Sequence, residues 1–280
     1  MTNSIGICLW FDTQAKDAGK FYQSVFKGFA PISENPLAVV YSLYGRRFMN
    51  LNGNTNTKMN PSISFFVQLN QEDELIETWN KLIVGGSVLM PLDTYPWSKK
   101  YGWCAYHFVV NWQLILTEDS TDVIIPSMMF IQENNGKAQE AIDFYTALFK
   151  ETGPLTIDRY QKGEGDTEGN IKYSRFNMGM LPFGAMDSGH PHAFNFNDSI
   201  SFVLTVDSQD EIDFYWNALT EKGQGGRCGW LKDPFGVSWQ IVPSILGKLM
   251  SNPATAPKAT YAFLQMSKFI IADLEKAAHS

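Results

Sequence analysis

The sequence predicts an α+β protein made of two tandem copies of one half, each copy reading β-α-β-β-β twice. Three stretches carry the duplication, because each recurs further along the chain in the same order. FYQSVFK from Phe21 returns as FYTALFK from Phe144, SISFFVQLNQEDELIETWNKL from Ser62 as SISFVLTVDSQDEIDFYWNAL from Ser199, and GWCAYHFVVNWQL from Gly102 as GWLKDPFGVSWQI from Gly229. The spacing between partners changes only where insertions fall between blocks. A chain of 280 residues also has room for two cores, since a single core stops growing at roughly 250–300 residues. The division that follows is 1–121 for the first copy, 122–246 for the second and 247–280 for a helical tail.

Each element has its own signature. ICLWF and SMMFI are short apolar runs suited to buried first strands. Ala18, Phe21, Tyr22, Val25 and Phe26, and in the second copy Ala141, Phe144, Tyr145, Leu148 and Phe149, then follow the i, i+3, i+4, i+7, i+8 spacing of a helix with one face on a core. Gly28 is placed to stop the first of these helices. LAVVYSLYG and RRFMNLNG read as a hairpin turning at Gly45, with IKYSRFNMG and LPFGAMD as its counterpart. In the next unit ISFFVQL alternates as a strand, and Leu75, Ile76, Trp79, Leu82 and Ile83 share a helical face that Gly85 and Gly86 end. Strands around 87–92, 102–108 and 110–118 complete the copy.

The copies differ in their insertions. RYQKGEGDTEGNIKY in the second is polar and glycine-rich and reads as a long hairpin connection. Its Gly163, Gly165 and Gly169 lack the GxGxxG spacing and the following helix that a phosphate-binding turn needs. In the first copy MPLDTYPWSKKYG reads as a long loop where the second has only GQGGRCG. From Pro257, PKATYAFLQMSKFIIADLEKAA is a proline-started helical pattern interrupted near Lys268, apolar enough to dock on a neighbour.

Composition excludes several functions. A formal charge of -7, with no run of Lys and Arg interleaved with aromatics, gives no attraction for phosphate backbones, so no nucleic-acid partner is expected. No stretch approaches the roughly 18 apolar residues that span a bilayer, and Met1 to Phe11 lacks a leader pattern, so the expectation is a cytoplasmic protein with no membrane partner. Cys8, Cys104 and Cys228 are odd in number and far apart, which points to free, buried thiols rather than disulfides or a thiolate metal site.

The FYxxxF helix, the ISFxV strand, the acidic helix after it, GWLKDPFGVSWQIVP from Gly229 and the KFIIADLEKA ending together resemble the PhnB-like branch of the vicinal oxygen chelate superfamily, which includes glyoxalase and bleomycin-resistance proteins. The resemblance covers nearly the whole chain. It implies that βαβββ units pair into cupped mixed sheets of eight strands with helices outside, the cups forming within each copy or between paired chains. It also implies a small-molecule ligand in the concavity. Sequences of this kind have often carried the name 3-demethylubiquinone-9 3-methyltransferase. A methyltransferase of the doubly wound kind needs a glycine-rich turn from strand to helix and alternating β/α units, and the sequence has neither.

Superfamily enzymes hold a divalent metal through His, Gln and Glu on the concave face. By that resemblance the pattern DPxGxxxE would place a glutamate ligand where this chain has Gln240, and Gln113 repeats the departure in the first copy. A neutral amide does not offset a dication, so no metal and no cofactor are expected, with a divalent metal as the alternative. Candidate ligand-binding residues are Gln113 and Gln240, the aromatics Trp10, Trp97 and Tyr101, the strand histidine His107, and the group Asp187, His190 and His192 in DSGHPH. Alternation forbids Trp112 and Gln113, or Trp239 and Gln240, from facing the same side. The function expected is small-molecule binding without a standard metal site, against a metal-dependent isomerase, lyase or dioxygenase, or a non-catalytic assembly module. A homodimer is left open, and the copies are expected to differ as binders.

Overall fold

A computed structural model describes residues 4–106, 108–119, 121–150 and 156–279. The first copy runs β1 (Ser4–Phe11), α1 (Ala15–Val25), β2 (Phe29–Glu34), β3 (Ala38–Leu43) and β4 (Arg46–Asn52), then β5 (Ile63–Leu69), α2 (Glu72–Leu82), β6 (Ser87–Tyr95), β7 (Ser98–Ala105) and β8 (Asn111–Leu116). The second runs β9 (Val123–Ile131), α3 (Ala138–Leu148), β10 (Thr156–Arg159), β11 (Ile171–Met178) and β12 (Leu181–Ser188), then β13 (Ile200–Val206), α4 (Gln209–Thr220), β14 (Gln224–Gly225), β15 (Trp230–Lys232) and β16 (Ser238–Pro243). The tail forms α5 (Ile245–Ser251), α6 (Ala256–Leu264) and α7 (Ile271–His279). The βαβββ order is therefore met four times, with the helices packed on the outside of the strands of their own units.

The strands make two mixed eight-stranded sheets, ordered β14-β15-β16-β13-β1-β4-β3-β2 and β10-β11-β12-β9-β5-β8-β7-β6. Each sheet takes one βαβββ unit from each copy. This differs from both arrangements expected, a cup inside one copy or a cup between chains. The short link 117–122 returns the chain beside the strands it has just left, so that β9 pairs antiparallel with β5, Phe66 opposite Ile125. Both are apolar runs buried on both faces for most of their length, and the centre of a sheet is the place that buries them.

Two compact units divide the chain, Met1–Ile7 with Ser201–Ser280, and Cys8–Ile200. In the larger, Trp112 is fully buried and meets Tyr22, Phe26, Phe48 and Phe65 at centroid distances of 4.9–6.3 Å. Truncating such a residue costs roughly 3–5 kcal/mol. Gly28 does not act as a left-handed cap; a Cβ there would lie 2.3 Å from the Tyr44 ring, so its role is close approach. In the smaller unit Trp239 is equally buried, packs 5.2 Å from Phe202 and donates from Nε1 to Asp233 Oδ2 at 2.9 Å. Asp233 Oδ1 also accepts from the amides of Phe235 and Val237, at 2.9 and 3.0 Å, which closes the DPFG turn. Gly236 sits there at φ +87°, and its counterpart in the first copy is Val109 at φ +61°.

The stretch MPLDTYPWSKKYG is strand rather than loop. β6 and β7 continue through it, with Tyr95 opposite Ser98 across a turn at Pro96 and Trp97. Register shifts at Val88/Met90, Met90/Asp93 and Asp93/Tyr95 break the period of two, which is why no strand pattern is legible there. The tail interruption around Lys268 takes the matching place in the other sheet. Cys228 N donates to Met266 O at 2.8 Å and Gly229 N to Ser267 O at 2.7 Å, where β6 flanks Tyr101 through Asp93 in the first copy. Lys268 pairs with Asp213 at 2.7 Å, and Gln209 bonds to Phe269 O and Ile271 N, so the tail is tied to α4. Among the described residues no helix is long and apolar enough to cross a membrane.

Candidate ligand site on the concave face of the second sheet

Alternation divides β5 into two sets, and the set Ser64, Phe66 and Gln68 faces the concave side. Phe66, Tyr101 and Ile125 are buried there, with Met90, Trp103, Tyr173 and Met186 half-buried around them. Phe66 and Tyr173 meet edge to face at 5.9 Å, across the curvature of the sheet. The face is thus apolar, aromatic and aliphatic in equal part.

Its polar groups lie together. Tyr101 donates its hydroxyl to Gln113 Oε1, and Gln113 Nε2 donates to Ser64 Oγ at 2.7 Å. Gln113 is 2% exposed, and both ends of its amide are held. The strand register then sets Arg175, Gly184, Ser127 and Ser64 in one row across β11, β12, β9 and β5. Ser127 is 1% exposed and its Oγ has no hydrogen-bond partner. Arg175 is half-buried, reaches Gln68 Oε1 at 3.4 Å, and pairs with no carboxylate among the described residues. Burial raises the Tyr101 pKa; it also raises that of Tyr173, against the opposing pull of Arg175.

The second copy repeats the amide latch, with Gln240 Nε2 donating to Ser201 Oγ at 3.0 Å. Trp112 and Trp239 face the other way, as alternation requires. The rest of the site is not repeated. Val203 stands for Phe66, Cys228 for Tyr101 and, from the closing pairs Leu43/Arg46 and Met178/Leu181 of the two hairpins, Val40 for Arg175.

The other residues singled out from sequence are scattered. Trp97 lies at the β6–β7 turn, 61% exposed, stacked on Tyr95 and edge-on to Tyr101 at 6.2 Å, so it belongs to the rim of this face. Trp10 packs over Gly53 and lines a separate cleft of about 240 Å³ with Thr55, Met59 and Phe108. Asp187 is not aimed at a ligand: its Oδ1 accepts from the amides of Gly136 and Ala138 at 2.8 and 3.1 Å, its Oδ2 from that of Ile171 at 2.8 Å, and it is 2% exposed. Asn52 does the same for Ala15 in the first copy. His192 bonds to Ser188 Oγ at 2.7 Å in a loop after β12, with His190 exposed beside it. His107 lies outside the described residues. Ser64, Ser127, Gly184 and Arg175 were not singled out. Ser64 had a signal, the repeat of SISF as Ser62 and Ser199 blocks, but the row needs the pairing of four strands.

The donors do not suit a divalent cation. Gln113 is occupied on both sides, Asp187 is taken up by backbone amides, and no three His, Cys, Asp or Glu side chains converge among the described residues. A nucleotide-type methyl donor fits no better, since Gly163, Gly165 and Gly169 lie between β10 and β11 rather than between a strand and a helix.

Two cupped sheets assembled from four βαβββ units define a protein of the vicinal oxygen chelate superfamily. The family described as 3-demethylubiquinone-9 3-methyltransferase matches residues 3–115 and 122–242, and the chain belongs to this PhnB-like family in two copies. A PhnB protein from Bacillus cereus, described as a 3-demethylubiquinone-9 3-methyltransferase, is 31% identical over 40% of this chain and 98% of its own, with a TM-score of 0.38. Glyoxalase I from Zea mays, 11% identical, covers 90% of this chain and 97% of its own with a TM-score of 0.57, which bears on the fold alone. A structure from Staphylococcus aureus is 28% identical over 41% of this chain and 97% of its own, with a TM-score of 0.19. No curated protein matches.

Proposed function

We propose that the chain binds a small, ring-bearing molecule on the concave face of the second sheet, without a resident divalent metal. One observation carries this reading: half-buried aromatics surround a buried polar row in which the Ser127 hydroxyl has no partner. A buried orphan hydroxyl costs about 1–3 kcal/mol, and a ligand oxygen would satisfy it. A mostly apolar concavity with a few convergent polar groups is the usual form of a binding site. The reading keeps a cytoplasmic protein without nucleic-acid or membrane partners. The family description names a methyl transfer, and nothing in the donor set supports carrying that reaction over.

The test has two arms. A neutral aromatic probe, naphthamide, titrated into the full chain, is expected to bind saturably and to lose roughly tenfold or more in affinity when Val123→Trp fills the face, as expected where burial of a ring supplies most of the binding. Zinc, nickel or manganese added in excess is expected to be lost on desalting. Stoichiometric metal retained on Gln113 would favour the metal-enzyme reading, and no saturable binding of neutral or anionic aromatic probes would favour an assembly module.

A further inference from the structure

The second sheet carries Arg175 where the first carries Val40. Resting on the binding site proposed above, we infer that this site selects a ring-bearing carboxylate, whose anion lies over Gly184 between the Arg175 guanidinium and the Ser127 hydroxyl.

Geometry supports each part. Arg175, Gly184 and Ser127 are neighbours in one row on adjacent strands, so their side chains leave the sheet on the same side. Gly184 lets Ser127 lie close against the strand: a Cβ there would lie 2.9 Å from Ser127 Oγ and 3.2 Å from Ser174 O. On one side of Gly184 is a half-buried cation with no acidic partner among the described residues, held only at 3.4 Å from a neutral amide. On the other is a buried hydroxyl with no partner. Next to it, Ser64 Oγ accepts from Gln113, which leaves the Ser64 proton free to donate.

Charge decides the class. Lys99, Lys100 and Lys172 of the same sheet already pair with Glu118, Glu72 and Glu164, and Arg159 is held by Gly169 O and Gln139, which leaves Arg175 as a guanidinium bonded only to the Gln68 amide. One guanidinium matches a monoanionic carboxylate, which it can hold with two parallel bonds. A phosphate dianion would need further donors of the kind found at a helix N-terminus, and none lies on this face, because the helices are on the other side of the strands. The rings of Phe66, Tyr101 and Tyr173 supply the apolar wall for the rest of the ligand.

Naphthoate and its neutral amide, naphthamide, test this by calorimetry on the full chain at low salt. Naphthoate is expected to bind at one site per chain, about tenfold or more tighter than the amide, as suits one charge-assisted contact. The preference should vanish in Arg175→Met, which keeps the apolar stem, and persist in part in Arg175→Lys. Ser127→Ala should weaken naphthoate while leaving thermal stability equal or higher, since it removes a buried orphan; a merely structural serine would not show that pair of effects. Equal binding of acid and amide would overturn this inference while leaving the binding site standing. A preference unchanged in Arg175→Met would also overturn it, because the anion would then be held elsewhere. Binding of neither probe would overturn the site and the inference together.

Discussion

Replacing Asp187 by Asn separates a structural carboxylate from a ligand group. Asparagine can still present one oxygen to the amides of Gly136 and Ala138, but its other side becomes a donor facing the Ile171 amide, also a donor. The change removes one charge-assisted bond, worth about 1.5–3 kcal/mol, and leaves a buried N–H unpaired. Partial relaxation offsets some of this, so the expected loss is about 2–4 kcal/mol, and Asp187→Ala, which strands all three amides, should lose more. Urea unfolding followed by tryptophan fluorescence measures the difference, and hydrogen exchange at Ala138 and Ile171 locates it. Naphthoate affinity should be unchanged wherever the variant is folded. A stability loss below about 1 kcal/mol, or lost binding with stability retained, would refute the assignment of Asp187 to the frame.

Three further outcomes are expected. Arg46 is 3% exposed, its Nη1 has no partner, and burial lowers its pKa to about 9, so Arg46→Met should be neutral or stabilising by about 1–2 kcal/mol despite losing the bond to Pro182 O and the Phe183 ring at 4.7 Å. Because the unfolded chain holds that proton more tightly, the difference should narrow as pH rises above about 9, and chemical unfolding of both proteins across that range reads it. Val109→Gly should raise the thermal midpoint, since a β-branched residue at φ +61° costs about 1–2 kcal/mol, more than the added chain entropy of glycine; a lowered midpoint would count against it. Burial, then His190, lowers the His192 pKa below 6.5, so the stability it contributes is lost as pH falls below that value. Protection of the amides at 189, 190 and 192–194, corrected for the intrinsic exchange rate, should fall on acidification in the native chain and less so in His192→Asn.

Much of the fold was legible because its signals are local. The helix stripe at Phe21 and Tyr22, the GWCAYHF and GWLKDPF blocks, and the opposite facing of Trp112 and Gln113 all follow from periods of 3.6 and 2. The exchange of units between sheets was not, because a strand of β5 type shows that it wants a central place and not which strand lies beside it. The same limit hid the site. Arg175 and Ser127 stand far apart in sequence and meet through the pairing of β11, β12 and β9. Asp187, by contrast, stands close to His190 and His192 in sequence, but the end of β12 turns its carboxylate back to the start of α3 while the histidines continue into a loop.

The comparison between copies also indicates what the glutamines do. The backbone bonds Met129 N to Ser62 O and Trp10 N to Ser199 O align Met129 with Trp10, and hence Ser127 with Cys8. The pairs Ser64–Gln113 and Ser201–Gln240 are therefore common to both sheets, whereas Arg175, Phe66, Tyr101 and Ser127 give way to Val40, Val203, Cys228 and Cys8. A group present in both faces with the same bond cannot distinguish them. The amide joins two parallel strands, β5 to β8 and β13 to β16, and satisfies a buried serine in each. In a buried setting such a bond is kept because losing either partner leaves the other unpaired. Gln113 and Gln240 thus serve as latches between strands, the same in both sheets.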